Sequence, residues 1–174
     1  MTAIINGDSP SITFSDATTQ ATSAVVSGKV PYSILPTGSV LQVVQSSYST
    51  AFSTSSTSFV DTGLTATITP KFSNSKILVL ISQQGFAIPS GSGTQDYVTN
   101  IVRGSTNIMQ TKSQITASQS TFGNFMQFLD SPTTTSATTY KTQVYVAIAT
   151  STVYFQWAST SPSVSTITLM EIAG

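Results

Sequence analysis

The chain has 174 residues, enough for one domain with length left over for an arm, and its six Lys and Arg balance six Asp and Glu. Charged residues make up only 7% of it, where globular proteins average roughly 25%. With no basic excess there is no counterion release to drive nucleic-acid binding, and with no Cys and no His there are no disulfides, thiolate sites, Ser-His-Asp triads or ordinary zinc and iron sites.

Ser and Thr supply about a third of the residues, yet the mean hydropathy is slightly apolar at +0.18. The two facts agree if Thr lines strand surfaces while Val, Ile, Leu and Phe are buried behind them. The longest aliphatic run, Ile77 to Ile81, is far too short to span a bilayer, so no membrane insertion is expected. The opening MTAIINGDSPS carries neither the basic flank nor the apolar core of a secretory signal.

Residues 1–36 hold short apolar pieces, Ile4, Ile5, Ile12 and Phe14, between the turn formers Asn6, Gly7, Asp8 and Pro10. This composition predicts an extended N-terminal arm with two short strands at most. The connector KVPYSILPTGS, with Pro31, Pro36 and Gly38, marks the boundary to a second part, 37–174.

From Val40 the pattern becomes alternation with period two. Leu64, Ala66 and Ile68 interleave with Thr65, Thr67 and Thr69 before Pro70, and Ile77, Val79 and Ile81 follow the turn KFSNSK. Further strands are predicted at 40–45, 51–60, 96–103, 107–112, 122–129, 140–149, 152–157 and 163–172, with loops at 90–94 and 131–139. No window has helical spacing with caps. The fold class is therefore all-β: an antiparallel two-sheet β-sandwich, jelly-roll-like in preference to immunoglobulin-like, since the Cys–Trp–Cys signature is missing.

In three predicted strands both faces are apolar. Ile77/Val79/Ile81 back onto Leu78/Leu80, Val144/Val146/Ile148 onto Tyr145/Ala147, and Met170/Ile172 onto Ile167/Leu169. An antiparallel sheet in a monomer leaves one face wet, so two greasy faces predict a neighbouring subunit. The candidate interface residues are Leu78, Leu80, Tyr145, Ile167 and Leu169, with Ile4, Ile5, Ile12 and Phe14 as pegs of the arm.

The residues offer little for catalysis, and no enzyme activity and no cofactor are expected. Lys29, Lys71, Lys76, Lys112 and Lys141 sit in turn-like or strand-edge contexts that read as solvated surface. Asp8, Asp16, Asp61, Asp96, Asp130 and Glu171 are scattered singly, with no pair at the spacing glycoside hydrolysis would want and no acidic loop for calcium. Asp61 in VDTG and Asp130 in LDSP read as turn residues that accept backbone N–H bonds. The GSG at 91–93 lacks the rest of a phosphate-binding motif and reads as a hairpin tip. Val153, Phe155 and Trp157 read as core, and Tyr97, Tyr145 or Tyr154 are the rings that could contact a glycan.

Residues 36–82 (PTGSVLQVVQSSYSTAFSTSSTSFVDTGLTATITPKFSNSKILVLIS), NIVRGST at 100–106 and the closing STITLMEIAG resemble the C-terminal β domain of tailed-bacteriophage fibre and virion structural proteins of the marine and cyanobacterial-phage type. ITFSDATTQATSA at 12–24 is similar to the segment that precedes such domains. The resemblance implies a homotrimeric, non-enzymatic virion part, on tail or capsid exterior, that faces the host surface and aids adsorption. The arm would then bind other virion proteins through its backbone, where charges would cost desolvation. Such fibres are longer, so a short spike or capsid decoration also fits the resemblance. A carbohydrate-binding adhesin and a polysaccharide-degrading tailspike are the alternative functions, the first implying a host-surface glycan as partner.

Overall fold

The computed structural model describes residues 30–88, 95–115, 120–156 and 163–174, together with the backbone of 4–5, 11–13 and 19–21; at 86–88, 95, 115 and 120–122 it describes backbone only. The chain divides into two compact units, Met1–Ser39 and Val40–Gly174.

The first unit has one more short strand than the two that composition allows. Among the described residues three strands, β1 (Ile4–Ile5), β2 (Ser11–Thr13) and β3 (Thr19–Ala21), pair antiparallel into a small sheet, and a 3-10 turn lies at Tyr32–Ile34. Pieces of two or three residues are enough because the intervening Asn6, Gly7, Asp8 and Pro10 are turn formers, so the chain can double back on itself.

The second unit contains β4 (Val40–Tyr48), β5 (Phe52–Thr54), β6 (Val60–Ile68), β7 (Lys76–Ile88), β8 (Gln95–Arg103), β9 (Thr106–Ile115), β10 (Ser120–Asp130), β11 (Thr138–Val146), β12 (Thr152–Phe155) and β13 (Ser165–Ile172). Every ladder is antiparallel. One sheet has six strands: β7 pairs with β10 on one side, and on the other with β13 along Lys76–Ser82 and β12 beyond it. The other sheet has four, in the order β6-β11-β8-β9. Leaving aside the short β5 and β12, the eight main strands in chain order alternate as 1-8-3-6 in one sheet and 2-7-4-5 in the other. That winding is a jelly roll, a two-sheet sandwich.

The single strand predicted over 51–60 is broken in two. Hydroxyls interrupt it: Thr54 Oγ1 accepts the Ser56 N–H at 3.0 Å and Ser56 Oγ accepts the Ser58 N–H at 3.1 Å, a local alternative to the ladder. A β-bulge follows, since Asp61 pairs with Gln143 but Thr65 with Lys141. Gly63 sits in it with φ +89, and the ring of Tyr48 on β4 fills the place a Cβ would take.

The core forms as the alternation predicts. Leu64, Ala66 and Ile68 of β6 point in while Thr65, Thr67 and Thr69 stay exposed, and Ile77, Val79 and Ile81 meet them from β7. Each fully buried aliphatic side chain contributes roughly 1.5–3 kcal/mol. A second cluster gathers Tyr97, Val144, Val146, Val153 and Phe155. Between the two runs a polar layer: Gln83 Nε2 donates to Thr62 Oγ1 at 2.9 Å, and Thr62 Oγ1 meets Thr142 Oγ1 at 2.5 Å. These side chains hold core register and have each other as partners, which offsets part of their desolvation, while Gln83 Oε1 is buried without a partner.

Candidate functional site

The two sheets turn opposite kinds of surface outward. On the four-stranded sheet Asp61 of β6 accepts Lys141 Nζ and Gln143 Nε2 of β11, both at 2.7 Å. Partial burial pushes its carboxyl up, but the bonds from Lys141 and Gln143 outweigh it and leave it below the usual range. Asp96 of β8 lies 2.6 Å from Lys112 Nζ on β9 and accepts Gln114 Nε2 at 3.2 Å, and the Lys112 bond holds it below the usual range as well. Tyr145 is half-buried and packs edge-on against Phe59, ring centroids 4.8 Å apart. This is a wet, ion-paired face.

The outer face of the six-stranded sheet is different, and the strand registers lay it out in rungs. Leu129 of β10, Leu78 of β7, Met170 of β13 and Val43 of β4 stand side by side. The next rung is Gln127, Leu80, Thr168 and Gln45, and the one after it Phe125, Ser82, Thr166 and Ser47. Across these three rungs no side chain is charged; Lys76, opposite Ile172, closes one end of the face. Phe125 is 71% exposed, Val43 55% and Leu129 49%. The Phe125 ring reaches over Gly123, where a Cβ would come within 2.7 Å of it. A depression of about 460 Å³ lies alongside, walled by Leu80, Ser82, Phe125, Gln127, Thr166 and Thr168.

Leu78 and Leu80 thus occupy the outward face, as both-face apolarity predicts. Ile167 and Leu169 do not: both are fully buried inside the subunit, and the outward residues of β13 are Thr166, Thr168, Met170 and Ile172. The reversal follows from Glu171, a charged residue on the inward side. Its carboxylate accepts the Lys71 N–H at 2.6 Å, the Phe72 N–H at 3.4 Å and Gln42 Nε2 at 2.5 Å, and so ties the last strand to the turn after Pro70. A carboxylate with three donors can afford burial. Ile4, Ile5 and Ile12 lie on described strands, but their side chains, and all of Phe14, fall outside the described residues.

Other expectations change too. Asp61 and Asp130 are strand residues bound by side chains, not turn residues bound by backbone. Asp130 accepts Arg103 Nη1 on both oxygens at 2.8 Å and Tyr140 Oη at 2.7 Å, a link from β10 across the sandwich to β8 and β11. Tyr97 is a core residue, 4% exposed, which removes it as a glycan contact. Val153 and Phe155 are core as predicted, while Trp157, Asp8, Asp16 and the GSG at 91–93 lie outside the described residues. Among the described residues each carboxylate is taken up by a cation, an amide or a backbone N–H, and no three Asp or Glu gather where a metal ion could be held.

Phe125, Leu129, Met170 and Val43 are surface residues that the alternation pattern did not single out. Phe122 to Leu129 has the same two-faced apolarity as β7, with Met126 inward and Phe125 and Leu129 outward, so the signal for β10 was present.

No family model matches the chain, and no curated protein resembles it significantly. Among solved structures it is similar to one of infectious bursal disease virus, Gx strain (12% identity, 76% of this chain, 37% of that one, TM-score 0.32). A structure of the Gt strain is comparable (11% identity, 93% of this chain, 46% of that one, TM-score 0.32). The chain spans less than half the length of either, and similarity at this level assigns neither fold nor role.

Proposed function

We propose that this chain is a non-enzymatic structural component of a virion, of the short-fibre, spike or capsid-decoration kind, that assembles through the outer face of its six-stranded sheet. The observation that carries the reading is that face: rungs without a charged side chain, with Phe125, Leu129 and Val43 open, on a protein whose other sheet is polar and ion-paired. An uncharged apolar surface of this kind is a liability on a free monomer and an asset in an assembly. The jelly-roll winding supports the reading, because viral capsid domains use it repeatedly; so do lectins, which keeps host-surface adsorption through a glycan within the proposal. The segment resemblance to bacteriophage fibre and virion proteins points the same way and adds attachment through residues 1–36 and a copy number of three.

The test is the native mass of the full-length chain, with cross-linking from residues 1–36 inside particles that contain it. Self-association, and cross-links to other virion proteins, are the expected results. A folded monomer at all accessible concentrations that cross-links to nothing overturns the proposal.

A further inference from the structure

The outer face of the six-stranded sheet ends at a strand that nothing among the described residues covers. β10 pairs with β7 along its whole length, Ser120↔Ala87 to Asp130↔Ile77, and with no other described strand. Exposed edges in natural sheets are blunted by a bulge, a Pro, a Lys or an inward charge. Other edges here follow that rule: β9 carries Lys112, β6 carries Asp61 and the bulge at Gly63, and the β4–β13 ladder shifts register near its end. The β10 ladder runs without a shift, the strand STFGNFMQFLD has no Pro and no Lys, and its one inward charge, Asp130, stands at the last position, on Arg103, so that 120–129 carry none of these devices.

We infer that β10 is a self-pairing edge, joined antiparallel to β10 of a second copy of this chain about a two-fold axis at Gln127. The register follows from the residues. Side chains of like orientation must meet, so the axis passes through a residue and not between two. Centring it on Gln127 sets Phe125 opposite the second copy's Leu129 twice over, and Gln127 opposite its own counterpart, where two side-chain amides can exchange hydrogen bonds. An axis one residue earlier would oppose Phe125 to Gln127 and forfeit both aromatic–aliphatic pairs. Electrostatics agrees with a second copy as the occupant: the two strands bring no like charges together, because Asp130 is already neutralised. The pairing joins the uncharged faces of two sheets into one continuous surface and turns an exposed edge into interior.

Area sets the strength. With 150–250 Å² available on an aromatic side chain, the 71% exposed Phe125 offers about 150 Å². Adding Leu129, Gln127 and the strand edge still leaves the contact below the roughly 800 Å² per partner of a standard interface, so the pair is a weak, reversible one. The pairing requires nothing of where the assembly resides and, being two-fold, would join one trimer to the next rather than form the trimer, so its test is separate from that of the virion reading.

The chain has no Cys, so a single introduced thiol reports without background. Directly opposed residues of an antiparallel pair have Cα atoms about 4.5–5.5 Å apart, within disulfide reach. Full-length Gln127→Cys, under mild oxidation at micromolar concentration, is expected to form a disulfide-linked pair at least tenfold faster than Gln114→Cys, an exposed control on β9. Adding Phe125→Lys to Gln127→Cys is expected to abolish the difference while leaving the β-sheet circular dichroism unchanged, because Phe125 is a surface side chain. Equal rates for the two cysteine variants overturn the inference. So does a native mass of one or three copies with no cross-linked pair, or a pair that Phe125→Lys leaves intact.

Discussion

Replacing Asp130 by Ala is expected to lower the unfolding free energy by about 3 kcal/mol, through the loss of two partners that respond differently. The residue is 6% exposed and closes the end of β10, while its partners, Arg103 on β8 and Tyr140 on β11, belong to the opposite sheet. Breaking a buried ion pair costs about 3–5 kcal/mol when the surviving charge is left dry. Here the Arg103 side chain is 27% exposed and recovers some solvation, which pulls that contribution toward the lower end or below it. The Tyr140 hydroxyl recovers nothing, since the residue is fully buried, and an orphaned buried donor costs about 1–3 kcal/mol. Urea unfolding of both proteins, followed by circular dichroism, should show the midpoint fall with the slope unchanged. Asp130→Asn, which keeps an acceptor for Tyr140, should lose less than Asp130→Ala. A loss below about 1 kcal/mol for Asp130→Ala would refute the reasoning, and the link across the sandwich would then contribute nothing of consequence.

Burial, and then the neighbouring Asp130 carboxylate, push the Tyr140 phenol well above its ordinary range; burial raises Tyr97 too. A raised folded-state pKa contributes stability that is present in full below the unfolded value and lost above it, so stability should fall from about pH 10 upward, by up to about 1.4 kcal/mol per pH unit per tyrosine. Tyr140→Phe should make that alkaline fall shallower in denaturant titrations at several pH values; an unchanged slope would count against the assignment. Gly63→Ala should cost about 2 kcal/mol or more in the same assay, because φ +89 strains any Cβ and the Tyr48 ring occupies its place. In a Tyr48→Ala background the penalty should shrink to the backbone share of about 1 kcal/mol, and a penalty that does not shrink would rule out the ring contact.

The strands of this protein are legible in its sequence wherever one face is apolar and the other is not. Leu64, Ala66 and Ile68 against Thr65, Thr67 and Thr69 allow a single orientation, because a slip by one residue would bury three hydroxyls and expose three aliphatic side chains. The all-β class, the absence of helical spacing and the core placement of Val153 and Phe155 follow from the same local signal.

Where both faces are apolar, alternation loses its power to choose, and long-range contacts decide instead. β13 turns Ile167, Leu169 and Glu171 inward because three donors on Gln42 and the Lys71–Phe72 turn wait for the carboxylate there, and no reading of STITLMEI alone reveals partners about 100 residues away along the chain. Thr62, Thr142 and Gln83 enter the core for the same reason, as partners supplied by different strands. The sequence by itself determined which stretches are strands and how few charges the surface could carry. The tertiary structure decided which sheet received those charges, since only the pairing of β6 with β11 and of β8 with β9 sets Asp61 beside Lys141 and Asp96 beside Lys112. The β4–β13–β7–β10 face was left with none across its apolar rungs.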